Sequence, residues 1–217
     1  MLKGTHCMSV QEQTELIYKL LKDNRVISHG GGRLVFEHPD YRDRVIKIAM
    51  GEGGIKQNEL EADVYCDYSN NYDIFAHIFG YSSLIIEMEK VEPLPDLEYI
   101  EDEEEESVAW DIKYTLDDLI GSTADNEQLG KNECGDIVAY DYGFNPEEDC
   151  WNQTSELRDY DFCVERYLSN LIRILDEEIT MEQLEFDTLE KCGKTFDDDD
   201  YEEEDDEDDI EEVEDSE

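Results

Sequence analysis

Three glycines stand in a row within His29-Gly30-Gly31-Gly32-Arg33. Nucleotide phosphates need backbone N–H groups brought close, and glycine permits this where a strand turns back. The same residues also suit the tip of an ordinary hairpin. Further on, Val45-Ile46-Lys47-Ile48-Ala49 sets a lysine among β-branched neighbours. On a buried strand that lysine needs a partner, and it offers a phosphate contact paired to a carboxylate. On the solvent face of an edge strand it offers neither. Alternation puts Val45, Lys47 and Ala49 on one face and Ile46 and Ile48 on the other, which leaves the buried face open. A third run, Asp136-Ile137-Val138-Ala139-Tyr140, is an apolar strand that leads into Asp141-Tyr142-Gly143.

These residues depend on the elements that carry them. Ser9 followed by Glu12 forms a capping box, and Leu16, Ile17, Leu20 and Leu21 follow at helical spacing, so a helix is expected over about 9–23. Residues 25–28, 33–37 and 44–49 read as three successive strands, broken by the glycines and by His38-Pro39-Asp40. Residues 51–54 (GEGG) read as a flexible break before a helix over 55–68. Two more strands are expected at 77–81 and 84–88, ended by Pro93 and Pro95. A helix follows at 108–120, then a hairpin at 128–131 and 136–140. Ser155 caps a long helix to about 176, and Thr180 caps another to about 191.

In this order the runs resemble the nucleotide-binding half of the protein kinase-like superfamily, over roughly residues 25–143. Val45-Ile46-Lys47 is similar to the kinase third-strand motif, whose lysine pairs the nucleotide's α/β-phosphates. The resemblance implies a glutamate on the next helix that holds this lysine; Glu61 is preferred, with Glu59 as fallback. Gly30, Gly31 and Gly32 would cover the phosphates. Leu84–Leu94 resembles the fifth strand and hinge, with Met88 as gatekeeper and backbone groups of Glu89 to Val91 on the adenine edge. Asp141-Tyr142-Gly143 is similar to Asp-Phe-Gly, which makes Asp141 a Mg²⁺ ligand, and counting back along the motif gives Gln128 as the second. The implied cofactors are ATP and Mg²⁺.

The pattern departs from the family at the proton acceptor. The aspartate position falls on Thr123, and a hydroxyl cannot take a proton as a carboxylate does. A shifted loop would use Asp125, with Asn126 toward the metal. Only about 50 residues separate Gly143 from the acidic tail, too few for a normal peptide groove. The expected fold is α+β: an antiparallel-sheet N-lobe with one helix, then a short, mostly helical C-lobe. The expected units are an N-terminal helix (1–24), the N-lobe (25–95), the reduced C-lobe (96–195) and a disordered acidic tail (196–217). Two functions remain open at this point. One is an ATP/Mg²⁺-binding phosphotransferase or its degenerate pseudokinase form. The other is a non-enzymatic scaffold that uses the same fold to bind a partner.

Composition narrows the surroundings. The net charge is −45, from 62 acidic and 17 basic residues, and 17 of the acids lie in 197–217 with no basic residue among them. That block buries too little to offset its ordering entropy. Without it the chain still carries an excess of about 28 negative charges, whose self-repulsion molar salt would screen. A halophilic source, archaeal or viral, fits this charge; so does an acidic protein that binds a basic partner surface. Nucleic acid and anionic membrane are disfavoured as partners. The six cysteines form no CxxC pair, the histidines show no metal-ligand spacing, and Met1–Met8 lacks the apolar core of a signal peptide. A cytoplasmic protein with reduced thiols is expected.

Overall fold

Ser9 and Glu12 exchange the two bonds of a capping box: the Glu12 N–H donates to Ser9 Oγ, and the Ser9 N–H donates to the Glu12 carboxylate at 2.8 Å. Helix α1 (Val10–Lys22) starts there. The computed structural model describes residues 5–23, 25–29, 32–95, 97–121, 128–142, 164–180 and 183–184. Strand β1 (His6–Cys7) precedes α1. Strands β2 (Val26–His29), β3 (Arg33–Glu37) and β4 (Arg44–Ala49) follow it, then α2 (Gly51–Tyr68). Next come β5 (Ile78–Tyr81), β6 (Ile85–Glu89), β7 (Glu92–Pro93), a 3₁₀ turn at Leu97–Tyr99, α3 (Glu103–Ile120), β8 (Leu129–Lys131), β9 (Ile137–Ala139) and α4 (Val164–Leu175).

The result is a mixed α/β fold built on two sheets. The larger has six strands in the order β1-β5-β6-β4-β3-β2, antiparallel except where β1 runs parallel to β5. The smaller, β7-β8-β9, is antiparallel. Both faces of the large sheet are covered. Ile46 and Ile48 join Leu34, Phe36 and Ile85 against α1 (Leu16, Ile17, Leu20) and α4 (Tyr167, Leu168, Leu171). Val45, Ile86 and Met88 face the other way, toward Val64 and Tyr65 of α2, Ile112 and Leu116 of α3, and Val138 of the small sheet. Each fully buried Leu or Ile contributes on the order of 1.5–3 kcal/mol, so both layers anchor the strand between them. This is why the alternation in 45–49 does not reveal a solvent face.

Three expectations change. Residues 51–54 are not a flexible break: α2 begins at Gly51, directly after β4. A Cβ on Gly54 would lie 2.1 Å from the Gly32 carbonyl oxygen and 2.9 Å from Ala49 Cα, so glycine there allows close packing of helix on strand. Helix α4, which the sequence reading groups with a second lobe, lies instead on the back of the large sheet beside α1, and the Tyr167 hydroxyl donates to the Ala49 carbonyl. The two-residue strands β1 and β7 were not foreseen. Thr180 and Gln183 exchange capping bonds at 3.0 and 3.3 Å, but residues 155–163, 185–191 and the tail (196–217) lie outside the described residues. Among those described, no helix is long and apolar enough to cross a membrane, and Cys7, Cys66 and Cys134 are free thiols.

Candidate functional site

Strand β4 pairs Lys47 with Val35 on one side and Ile86 on the other, so the lysine stands in the middle of the sheet on the face covered by α2. Its ammonium donates to Glu61 Oε1 at 2.9 Å and to the Tyr140 carbonyl, and it lies 3.9 Å from Asp141 Oδ1. Glu61 is wholly buried and Lys47 is 4% exposed. Asp141 follows β9, and its side chain remains about half exposed.

A fourth ionic group completes the cluster. Arg33, at the start of β3, shares its face with Val35 and so with Lys47. Its guanidinium donates to Glu61 Oε2 and to Asp141 Oδ1, and reaches Asn58 Oδ1 at 3.4 Å. Asn58, one helical turn before Glu61, in turn donates to the Ser83 carbonyl at 3.1 Å. The sequence reading gave neither Arg33 nor Asn58 a role. The available signals were Arg33's parity with Val35 and the i, i+3 spacing of Asn58 and Glu61.

The cluster holds two cations and two carboxylates. Burial pushes the Lys47 ammonium below its ordinary pKa, and Glu61 opposes this. Burial works against the charged form of Arg33, but Asp141 and Glu61 outweigh it and raise the guanidinium pKa. Burial would raise Asp141, yet Arg33 and Lys47 together hold it below the usual carboxylate value. Behind it, Tyr142 is fully buried and packs edge-on against Phe75 at 5.0 Å; burial, then Glu61, pushes its phenol well above the ordinary value.

The other expected site residues fall as follows. Gly32 lies at the start of α2: its carbonyl accepts from the Met50 N–H at 2.7 Å. Gly30, Gly31, Thr123, Asp125, Asn126 and Gly143 are outside the described residues. Met88 is fully buried, opposite Val45 and Ile78. The Glu89 N–H donates to the His77 carbonyl and the Lys90 N–H to that of Asp43, both at 2.8 Å, so neither points at a ligand edge; Val91 packs against the core. Glu59 is exposed on α2. The Gln128 carbonyl accepts from the Tyr140 N–H at 2.9 Å, which sets Gln128 across the hairpin from the Asp141 segment. Its side-chain oxygen is buried with no hydrogen-bond partner among the described residues.

Mg²⁺ takes near-octahedral oxygen ligands, usually with one or two carboxylates. Here the described residues offer the Asp141 carboxylate and the Gln128 amide oxygen, and Asp141 Oδ1 already accepts from Arg33, with Lys47 close by. No group of three or more His, Cys, Asp or Glu suited to a metal occurs among them. Among the described residues, then, the guanidinium on Asp141 Oδ1 and the nearby Lys47 ammonium compete with a divalent ion for this carboxylate. A separate cavity of about 1000 Å³ opens beside α2 and α3, lined by Tyr65, Phe75, His77, Glu89, Ile112 and Asp136 among others; none of the four charged residues lines it.

No family model and no curated protein matches the chain. Among solved structures it is similar to a pseudokinase in its apo form, with 11% identity and a TM-score of 0.41, over 90% of this chain and 100% of that one.

Proposed function

We propose that this chain is a protein kinase-like nucleotide-binding protein of the degenerate, pseudokinase type. The observation that carries this reading is the buried Lys47–Glu61 pair, formed between a central strand and the next helix, with Asp141 beside it. In protein kinases the same pairing of strand lysine and helix glutamate, with the Asp-Phe-Gly aspartate in place, holds the nucleotide phosphates. The order of elements supports it: glycine turn, strand, lysine strand, helix, two strands, helix, hairpin, aspartate. Thr123 at the proton acceptor's position, and an Asp141 carboxylate already engaged by Arg33, speak against efficient phosphoryl transfer. An active enzyme would need Asp125 as its base.

The second reading is a binding scaffold that takes no nucleotide. The closed set of ion pairs among Arg33, Lys47, Glu61 and Asp141 favours it, and the net charge of −45 would draw a partner with a basic surface. Calorimetric titration of ATP in molar KCl separates the two. Binding by the wild type that is lost in Lys47→Ala supports the nucleotide reading. A folded wild type that takes no ATP, with or without Mg²⁺, leaves the scaffold.

A further inference from the structure

We propose that Arg33 is the site's resident counter-ion: it neutralises Asp141 where a divalent cation otherwise would, so that ATP binds free of metal. This rests on the nucleotide reading above and specifies the form of nucleotide taken.

The charges and the geometry both lead there. Lys47 and Glu61 cancel one another at 2.9 Å. That leaves the Asp141 carboxylate, which repels phosphate unless a cation stands over it. Arg33 supplies that cation from the first residue of β3, on the same face of the sheet as Lys47. A guanidinium is always charged, and its planar fork bonds two acceptors at once. Here one nitrogen serves Glu61 and Asn58 and the other serves Asp141, so the group is fixed from α2 and from the segment after β9. Arg33 is 5% exposed, so water does little to screen it. A divalent ion on Asp141 would have to share the carboxylate with a hydrogen-bonded guanidinium and sit near the Lys47 ammonium.

The test is ATP titration of the full chain in molar KCl, once with excess EDTA and once with excess Mg²⁺, for wild type, Arg33→Met and Arg33→Lys. Wild type is expected to bind equally in both arms, within about twofold. Arg33→Met is expected to weaken the EDTA arm by about tenfold or more, the effect of losing one charge-assisted contact, and to make the remaining binding depend on Mg²⁺. Arg33→Lys keeps the charge without the fork and should fall between them; circular dichroism checks that each variant is folded. Wild-type binding that needs Mg²⁺ overturns the inference and leaves the nucleotide reading standing. So does an Arg33→Met protein, folded, that binds as wild type does in EDTA. No ATP binding by wild type in either arm overturns both. If Arg33→Met does not fold, a wild type that needs Mg²⁺ still overturns the inference.

Discussion

Lys47 and Glu61 meet at 2.9 Å with almost no solvent around either, yet Glu61 has two cationic partners and Lys47 has one close carboxylate. The two ends of this pair therefore differ in what their removal leaves behind. Lys47→Met leaves Glu61 still bonded to Arg33. Glu61→Gln leaves two buried cations with only Asp141 to share. Breaking a buried ion pair by removing one partner costs about 3–5 kcal/mol, chiefly because the other charge is stranded. Glu61→Gln is expected at or above the upper end and Lys47→Met nearer the lower. Urea unfolding at fixed salt reads the order directly; a Lys47→Met midpoint below that of Glu61→Gln would refute the account.

Gly54 and Gly32 face each other where α2 starts, but they are not equally replaceable. A Cβ on Gly54 meets backbone, the Gly32 oxygen at 2.1 Å. A Cβ on Gly32 meets the tip of the Gln57 side chain at 2.8 Å, which can swing away. Gly54→Ala should cost about 1–3 kcal/mol or more, as overpacking of a tight contact does, while Gly32→Ala should cost far less. Thermal unfolding of the two variants checks this. Equal losses would mean that Gln57 is as fixed as the backbone.

Much of this fold is legible in the sequence because its signals are local. The Ser9/Glu12 box starts α1, and β-branched runs between turn residues mark β2, β3 and β4. The misread parts depend on tertiary contact. GEGG looks like a hinge until the Gly32 carbonyl is packed against it. The stripe on α4 is visible in the sequence, but the surface that receives it is not. Strands β1 and β7 are two residues each, too short for any period. At the site, Lys47 and Asp141 stand out by motif, whereas Arg33 reads as the end of a glycine turn until its register with Ala49 puts it on the lysine's face.

His38 gives the protein a pH response unrelated to the cluster. Its Nδ1 accepts from the N–H groups of Asp40 at 3.0 Å and Tyr41 at 3.1 Å, which requires that nitrogen to be unprotonated. Burial pushes its pKa below 6.5; Glu87, then Asp40, pull upward, and Arg44 and Lys19 add to the lowering. With the folded pKa below the unfolded one, the unfolded chain binds the proton more readily. The contribution is therefore complete above about pH 6.5 and is lost as pH falls toward the folded pKa. A proton NMR titration should find the His38 midpoint below 6.5, and His38→Gln should flatten the drop in urea midpoint from pH 7.5 to about 5.5. An imidazole that titrates at or above 6.5 contradicts the argument.

Helix α3 offers one place to test whether so acidic a chain depends on salt. Its first turn, Glu103 to Glu106, is well sited: carboxylates there complement the positive end of the helix dipole, and Asp102 caps the N–H groups of Glu104 and Glu105 at 2.9 and 3.1 Å. Its other end is ill sited. Asp118 is exposed in the last turn, which holds no basic residue, and faces the negative pole. That repulsion acts at the surface, where molar salt shortens the Debye length to about 3 Å and removes most of it. Asp118→Asn should therefore raise Tm by roughly 1–4 °C at low ionic strength and leave it unchanged in molar KCl. The wild type, at net charge −45, should itself gain Tm steadily as KCl rises. Thermal scans of both proteins across a KCl series provide the check. A wild-type Tm that is flat or falls with salt would rule out salt adaptation as the reason for the acidity, and would favour a basic partner as the missing counter-charge.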